Sequence, residues 1–140
     1  MNKIFLKLFV ATHVALFRAT SGRIGSSMRG GKVLLLTTTG HKSGKTRTVP
    51  VMQFDDGGRR FVIASFAGSP EHPAWFKNLQ KRPEVGVDVR GERYQARAEV
   101  LSSQARAPIW KKLIAVAPDF AAYEKKAGGR EIPVVELKRV

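Results

Sequence analysis

The chain has 140 residues, enough for one domain with a real core. Its 25 Lys and Arg against 11 Asp and Glu give a net charge of +14, a field that draws polyanions without choosing among nucleic acid, acidic lipid and a multiply charged cofactor. With no cysteine, disulfides, thiolate metal sites and cysteine nucleophiles are excluded.

Residues 2–19 hold no Pro or Gly and follow Asn2, a capping residue, which predicts a helix. Its apolar arc is wide: Ile4, Phe5, Leu8, Phe9, Val14, Leu16 and Phe17, with Lys3 and Lys7 on one stripe. Lys7, His13 and Arg18 interrupt it too often for a membrane span, and no clear signal-peptide centre or cleavage site is present. A basic helix this apolar either covers the core of its own domain, the favoured reading, or lies on an anionic membrane. His13 reads as structural. Residues 21–31, rich in Gly, Ser and Arg, form a connector.

Val33–Leu36 predicts a first strand and Thr48–Phe54 a second. Between them, Thr37–Thr48 reads as a loop with two glycines and three fixed cations, Lys42, Lys45 and Arg47. Glycines let successive N–H groups point one way, and such concavities bind anions. The loop is thus either a seat for a phosphate or carboxylate or a solvated hairpin. It is not a Walker A loop: Gly40 and Gly44 are separated by three residues, not four, and a Pro-containing strand follows where a helix is required. No Gly-x-Gly-x-x-Gly follows a strand either.

Asp55-Asp56-Gly57-Gly58 is a hairpin turn into a strand over Arg60–Ser65. After a break at Phe66–Pro70, Pro73 opens a short helix through Leu79, and Arg82-Pro83 stops it. Val85, Val87 and Val89 alternate with Gly86, Asp88 and Arg90 in a half-buried strand, and Tyr94–Val100 alternates again. Gln104–Val116 reads as a helix and Phe120–Lys126 as a shorter one. Ile132–Leu137 is the last strand, with Pro133 near its start. About six strands with helices around them predict an α+β, mainly β fold: a small, mostly antiparallel barrel with helical cover.

The chain offers little chemistry of its own. His13, His41 and His72 have no metal-ligand spacing, so no metal is expected. Asp55 and Asp56 sit at a turn, and Gly-x-Ser-x-Gly is absent. Trp75 and Phe76 read as core in preference to a stacking wall. Ser65 bonds either a ligand or its own turn. This points to a borrowed reactive group or to pure binding.

The chain resembles the deazaflavin-dependent nitroreductase family, small oxidoreductases that use coenzyme F420. The resemblance rests on Leu35-Leu36-Thr37-Thr38-Thr39-Gly40-x-Lys42-Ser43-Gly44, Arg47, Pro50, Ala64-Ser65, Gly68, Pro73-x-Trp75-Phe76 and Asn78-Leu79. It continues through Pro83, Val85, Pro118, Tyr123 and Ile132-Pro133-Val134-Val135, and so covers most of the chain from about Gly31 onward. It implies a split β-barrel, with residues 1–140 a single domain, and a homodimer as in the wider fold group. The protein would be cytoplasmic, with residues 2–19, if they do not cover the core, the segment to touch an anionic membrane at its inner face. The implied reaction passes a hydride from the reduced cofactor to an electron-poor small-molecule acceptor: a quinone, enone or nitro compound.

The same resemblance implies which residues do this. Cofactor contacts fall on Leu35, Leu36 and Thr37, on His41, Lys42, Ser43, Gly44, Lys45, Thr46 and Arg47, and on Val62, Ile63, Ala64, Ser65 and Phe66. The substrate pocket would include Trp75, Ala117, Phe120 and Tyr123, with Tyr123 the one retained hydroxyl able to protonate product. Phe120 and Ala117 stand where relatives carry aromatic hydroxyls, so Phe120→Tyr is expected to raise nitro reduction. His41 stands where an Arg is common and Phe66 where a Lys occurs, which changes the cofactor groove. Rival readings are a barrel that binds flavin mononucleotide or a fatty acid, a membrane-surface adaptor, and a nucleic-acid binder stacking bases on Trp75, Phe76 and Tyr94. Against nucleic acid, the cations cluster on one loop and the termini and do not interleave with aromatics.

Overall fold

A computed structural model describes residues 3–19, 27–28 and 31–140. Most of the connector expected over 21–31 lies outside the described residues. The elements are α1 (Lys3–Ala19), β1 (Ser27–Met28), β2 (Gly31–Thr39), β3 (Thr46–Asp56), β4 (Arg59–Ile63), a 3-10 turn (Phe66–Gly68), α2 (Ala74–Lys81), β5 (Glu84–Val89), β6 (Glu92–Val100), α3 (Ser103–Val116), α4 (Asp119–Lys126) and β7 (Val134–Arg139).

The sheet runs β1-β2-β3-β4-β7-β6-β5, and a further pairing of β2 with β5 closes β2 to β7 into a six-stranded barrel. Every pairing is antiparallel. Closure removes the exposed edges that an open sheet of this size would carry. Strand alternation sends Leu34, Leu36, Val51, Val62, Val85, Val87, Ala96, Val135 and Leu137 into one cluster, which Phe76 and Leu79 of α2 join. The opposite parity of β4 and β7 presents Phe61, Ile63 and Val134 outward, where α3 and α4 cover them with Ile109, Trp110, Leu113 and Phe120.

The expected Thr37–Thr48 loop is mostly strand. Thr37, Thr38 and Thr39 pair with Thr48, Arg47 and Thr46, so only Gly40–Lys45 connects β2 to β3. Threonine is β-branched and suits a pleated surface, and the facing hydroxyls of Thr37 and Thr48 bond at 2.8 Å. The β3–β4 turn is as expected: Gly57 and Gly58 take φ of 56° and 80°, the left-handed pair that matches hairpin twist.

The apolar arc expected for the first helix does not face the protein as one surface. Phe17 is fully buried, and Val10, His13 and Val14 are half-buried on the stripe that meets β3. Ile4, Leu8, Phe9 and Leu16 lie elsewhere on the cylinder and are 69%, 63%, 53% and 44% exposed. At 17 residues α1 is too apolar all round for one packing face to absorb it. Among the described residues no helix is long and apolar enough to cross a membrane.

Two arginines fix the outer layer. Arg59 reaches from β4 to Glu136 on β7 through a forked pair of bonds of 2.8 and 3.1 Å. The buried Arg106 of α3 lies over the Trp110 ring at 4.1 Å, donates to the Ile132 carbonyl and pairs with Glu124 of α4. It thereby holds α4 against the entry to β7.

Candidate active site

The tip of the β2–β3 hairpin uses its own amides. Gly40 N donates to Lys45 O at 2.7 Å, Gly44 N to Gly40 O at 3.0 Å and Lys45 N to Ser43 Oγ at 3.2 Å. His41 N donates to Asn78 Oδ1 at 2.9 Å. Of the backbone N–H groups expected to cradle an anion, these four are satisfied within the protein. The glycines serve the turn itself. Gly44 takes φ of 72°, and a Cβ on Gly40 would meet Ser43 Oγ at 2.6 Å.

The cations are a different matter. Lys42, Lys45 and Arg47 are exposed, and among the described residues no carboxylate pairs with any of them. Elsewhere the basic residues Arg59, Arg60, Arg93, Arg97, Arg106, Lys112, Lys138 and Arg139 all carry an acidic partner. The hairpin tip gathers three cations without a carboxylate partner among the described residues.

A buried amide sets the tip's orientation. Asn78 of α2, 4% exposed, donates through Nδ2 to Thr38 Oγ1 at 3.0 Å. Its Oδ1 accepts the His41 amide and also meets His41 Nδ1 at 2.6 Å, so Nδ1 carries the imidazole proton. Lys81 Nζ, one turn on, donates to His41 O at 3.1 Å. Arg47 lies opposite Thr38 and shares its face of the hairpin, the face turned toward α2. Thr37 and Thr46 point the other way, into a surface groove of about 470 Å³ floored by Gly86 and Gln95. The strand period of two therefore divides the residues expected to bind one ligand between two faces.

The second expected segment continues from β4. Leu36 and Val62 pack in the barrel cluster, while Leu35 and Ile63 have the opposite parity, and all four are at most 3% exposed. These four, expected among the cofactor contacts, are core on the two sides of the barrel wall. Beyond them the chain turns at Ala64, Ser65 and Phe66. Ser65 is 7% exposed and its carbonyl accepts the Gly68 amide at 2.9 Å. Phe66 is 49% exposed with φ of 46°, a left-handed conformation uncommon for an aromatic residue.

Arg130 grips this turn. Its Nη2 donates to Ser65 O and Ser69 O, both at 2.8 Å, its Nη1 to Ala64 O at 3.0 Å and its Nε to Ser69 O at 3.0 Å. Nη1 also lies 3.0 Å from His72 Nδ1, which must accept, so His72 is neutral with its proton on Nε2. Burial, then the charges of Arg130 and Lys77, hold the His72 imidazole below its usual range.

The expected substrate residues do not form one group. Phe120 is 4% exposed, set edge-on between the Trp110 ring at 6.4 Å and the Tyr123 ring at 5.9 Å. Ala117 and Tyr123 border the same outer cluster. Trp75 is half-buried on α2 and joins the barrel cluster instead. The turn packs against the α4 backbone: a Cβ on Gly68 would lie 3.0 Å from the Tyr123 carbonyl oxygen. No group of three metal-ligating side chains is present among the described residues.

Sequence reasoning missed Asn78, Lys81, His72 and Arg130 as parts of the site. Asn78 carried a signal, since a mid-helix asparagine is a poor helix former and needs a partner when buried. Arg130 carried only a local one, two glycines before it at φ of 67° and 95° that swing the chain from α4 toward β7.

The comparisons with known proteins agree on one family. The family model of the F420H2-dependent quinone reductases matches residues 9–139. An F420H2-dependent quinone reductase of Mycobacterium tuberculosis is 33% identical over 133 residues, covering 91% of this chain and 87% of its own. The solved structure of an F420-H2 dependent reductase, FDR-A, is 36% identical with a TM-score of 0.67, covering 76% of this chain and 93% of that one. A further solved structure, described only as a domain-swapped dimer, is 32% identical with a TM-score of 0.70 over 91% of this chain and 93% of that one. The chain belongs to the F420H2-dependent quinone reductase family, oxidoreductases whose cofactor is coenzyme F420.

Proposed function

We propose that Lys42, Lys45 and Arg47 seat the anionic phosphate and glutamate tail of coenzyme F420, and that the Ala64–Phe66 turn borders its ring. The observation that carries this reading is the clustering of three exposed cations, none with a carboxylate partner among the described residues, on one hairpin tip. A polyanionic tail supplies the missing partners. When bound, the reduced deazaflavin supplies a hydride from its C5. The protein's share is positional: Asn78 and Lys81 hold the tip, Arg130 holds the turn, and burial behind both excludes water.

The acceptor that suits this family is a quinone. Reduction to the hydroquinone takes the hydride and one proton. Tyr123 on α4, the one hydroxyl retained in that segment, is the side chain we assign as proton donor. The test of the cofactor seat is a fluorescence titration with oxidised coenzyme F420 at several salt concentrations. Lys42→Ala and Arg47→Ala should each weaken binding by about 1–2 kcal/mol, or roughly 5- to 30-fold, and flatten its salt dependence. Unchanged affinity in both variants removes the hairpin tip from the site.

The exposed row on α1 supports a second element of the reading. Leu8 and Phe9, with Lys7 between their turns, give the helix an apolar edge and a cation at the same end. We propose that this edge rests on an anionic membrane, where quinones dissolve.

A further inference from the structure

We infer that Arg130, with His72 behind it, is a positioning residue for the cofactor: it fixes the turn that carries Ala64, Ser65 and Phe66. The inference rests on the proposed placement of the coenzyme beside that turn. Its own basis is geometry. One guanidinium donates to three carbonyls, Ala64, Ser65 and Ser69, which lie at the start and end of the same short turn. A planar fork is suited to bridging both ends at once, and a lysine ammonium cannot do so in the same geometry.

The turn has reason to need such a grip. Phe66 sits at φ of 46° and Gly68 at φ of 80°, and only the glycine takes that region without strain. The turn's own bonds are two, Gly68 N to Ser65 O at 2.9 Å and Ser69 N to Phe66 O at 3.0 Å. Arg130 adds four donations to the carbonyls and so offsets the cost of holding an aromatic residue in a left-handed conformation. His72 completes the arrangement from below. Its Nδ1 accepts from Nη1 at 3.0 Å, and its ring lies 4.7 Å from Phe76, which anchors it to α2. The guanidinium thus ties the β7 side of the barrel, the turn and the approach to α2 into one unit, 61 to 66 residues apart in sequence from the groups it holds on the turn.

The experiment compares Arg130→Ala and Arg130→Lys with the parent protein by two readouts. The first is amide hydrogen exchange of the cofactor-free protein. The second is titration with oxidised coenzyme F420 across salt concentrations. Exchange at Gly68 and Ser69 should accelerate at least roughly tenfold in Arg130→Ala while the β2 and β6 amides stay protected. F420 affinity should fall roughly tenfold with a salt dependence equal to the parent's, because the tail seat is untouched. Arg130→Lys should fall between, and it carries the test if the alanine variant does not fold. Unchanged exchange at 68–69, or faster exchange with parental affinity, overturns the inference. If the parent protein itself does not bind F420, the cofactor reading fails instead, and the exchange result alone decides whether Arg130 holds the turn.

Discussion

At the scale of single residues, Asn78 shows how much one buried amide can decide. It satisfies a strand hydroxyl and a loop amide at once, so Asn78→Ala would leave Thr38 Oγ1 without its donor and the His41 N–H without its acceptor. An unsatisfied buried group costs about 1–3 kcal/mol, and we expect a loss of about 2 kcal/mol in denaturant unfolding, with weaker F420 binding alongside. A parental midpoint would mean that water replaces the amide. Phe120 gives the opposite lesson. The family resemblance suggested that Phe120→Tyr would restore a useful hydroxyl. The residue is packed between Trp110 and Tyr123, and a phenol oxygen there would enter an apolar cluster. We expect the substitution to lower stability by about 1–3 kcal/mol and to leave nitro reduction where it was. A measured gain in nitro turnover would show that α4 moves when the acceptor binds.

At the scale of elements, the turn over residues 64–69 is where β4, α2 and α4 meet, and two changes should loosen it. Gly68→Ala places a methyl 3.0 Å from both Tyr123 O and Lys126 Cβ at a φ of 80°. Steric crowding and backbone strain add, and a loss of at least about 1–2 kcal/mol should appear in thermal or denaturant unfolding. His72 adds a pH dependence. It is neutral in the fold and its pKa lies below the unfolded value because of burial and of Arg130 and Lys77. The unfolded chain therefore binds more protons in that window, so the stabilisation is complete above about pH 6.5 and is lost as pH falls through the lowered folded value. His72→Gln should flatten that part of the stability profile; a profile identical to the parent's would exclude His72 as its source.

The same elements show what could be read in the chain. Alternating Val85, Val87 and Val89, and the Asp-Gly turn before β4, declared themselves because strand period and turn chemistry are local. The β2–β3 hairpin was under-read because glycine and lysine dominate its middle, while the threonines on both sides are good strand formers. Closure of β2 on β5 and the grip of Arg130 were not legible, since both depend on groups brought together only by the finished barrel.

At the scale of the whole molecule, the net charge of +14 and the exposed side of α1 belong to one argument. Most of the described arginines and lysines in ion pairs sit on the barrel and its outer helices, where they are compensated locally. Part of the remaining excess lies at the hairpin tip and on α1, which carries Lys7 and Arg18 and whose first turn holds no acidic residue. Leu8 and Phe9, at 63% and 53% exposure, project where burial in a bilayer interface would gain roughly 1.5–3 kcal/mol for each side chain taken fully out of water. Phe17 and Val14 keep the other side of the helix on β3, so the edge can be altered without undoing the fold. We therefore expect the parent protein to co-sediment with phosphatidylglycerol vesicles and much less with phosphatidylcholine. Leu8→Glu with Phe9→Glu should reduce that binding by roughly tenfold or more while unfolding and F420 affinity stay parental. Equal sedimentation of parent and variant removes the membrane from the reading. A concentration-dependent dimer that the variant abolishes would assign the edge to a second copy of the chain.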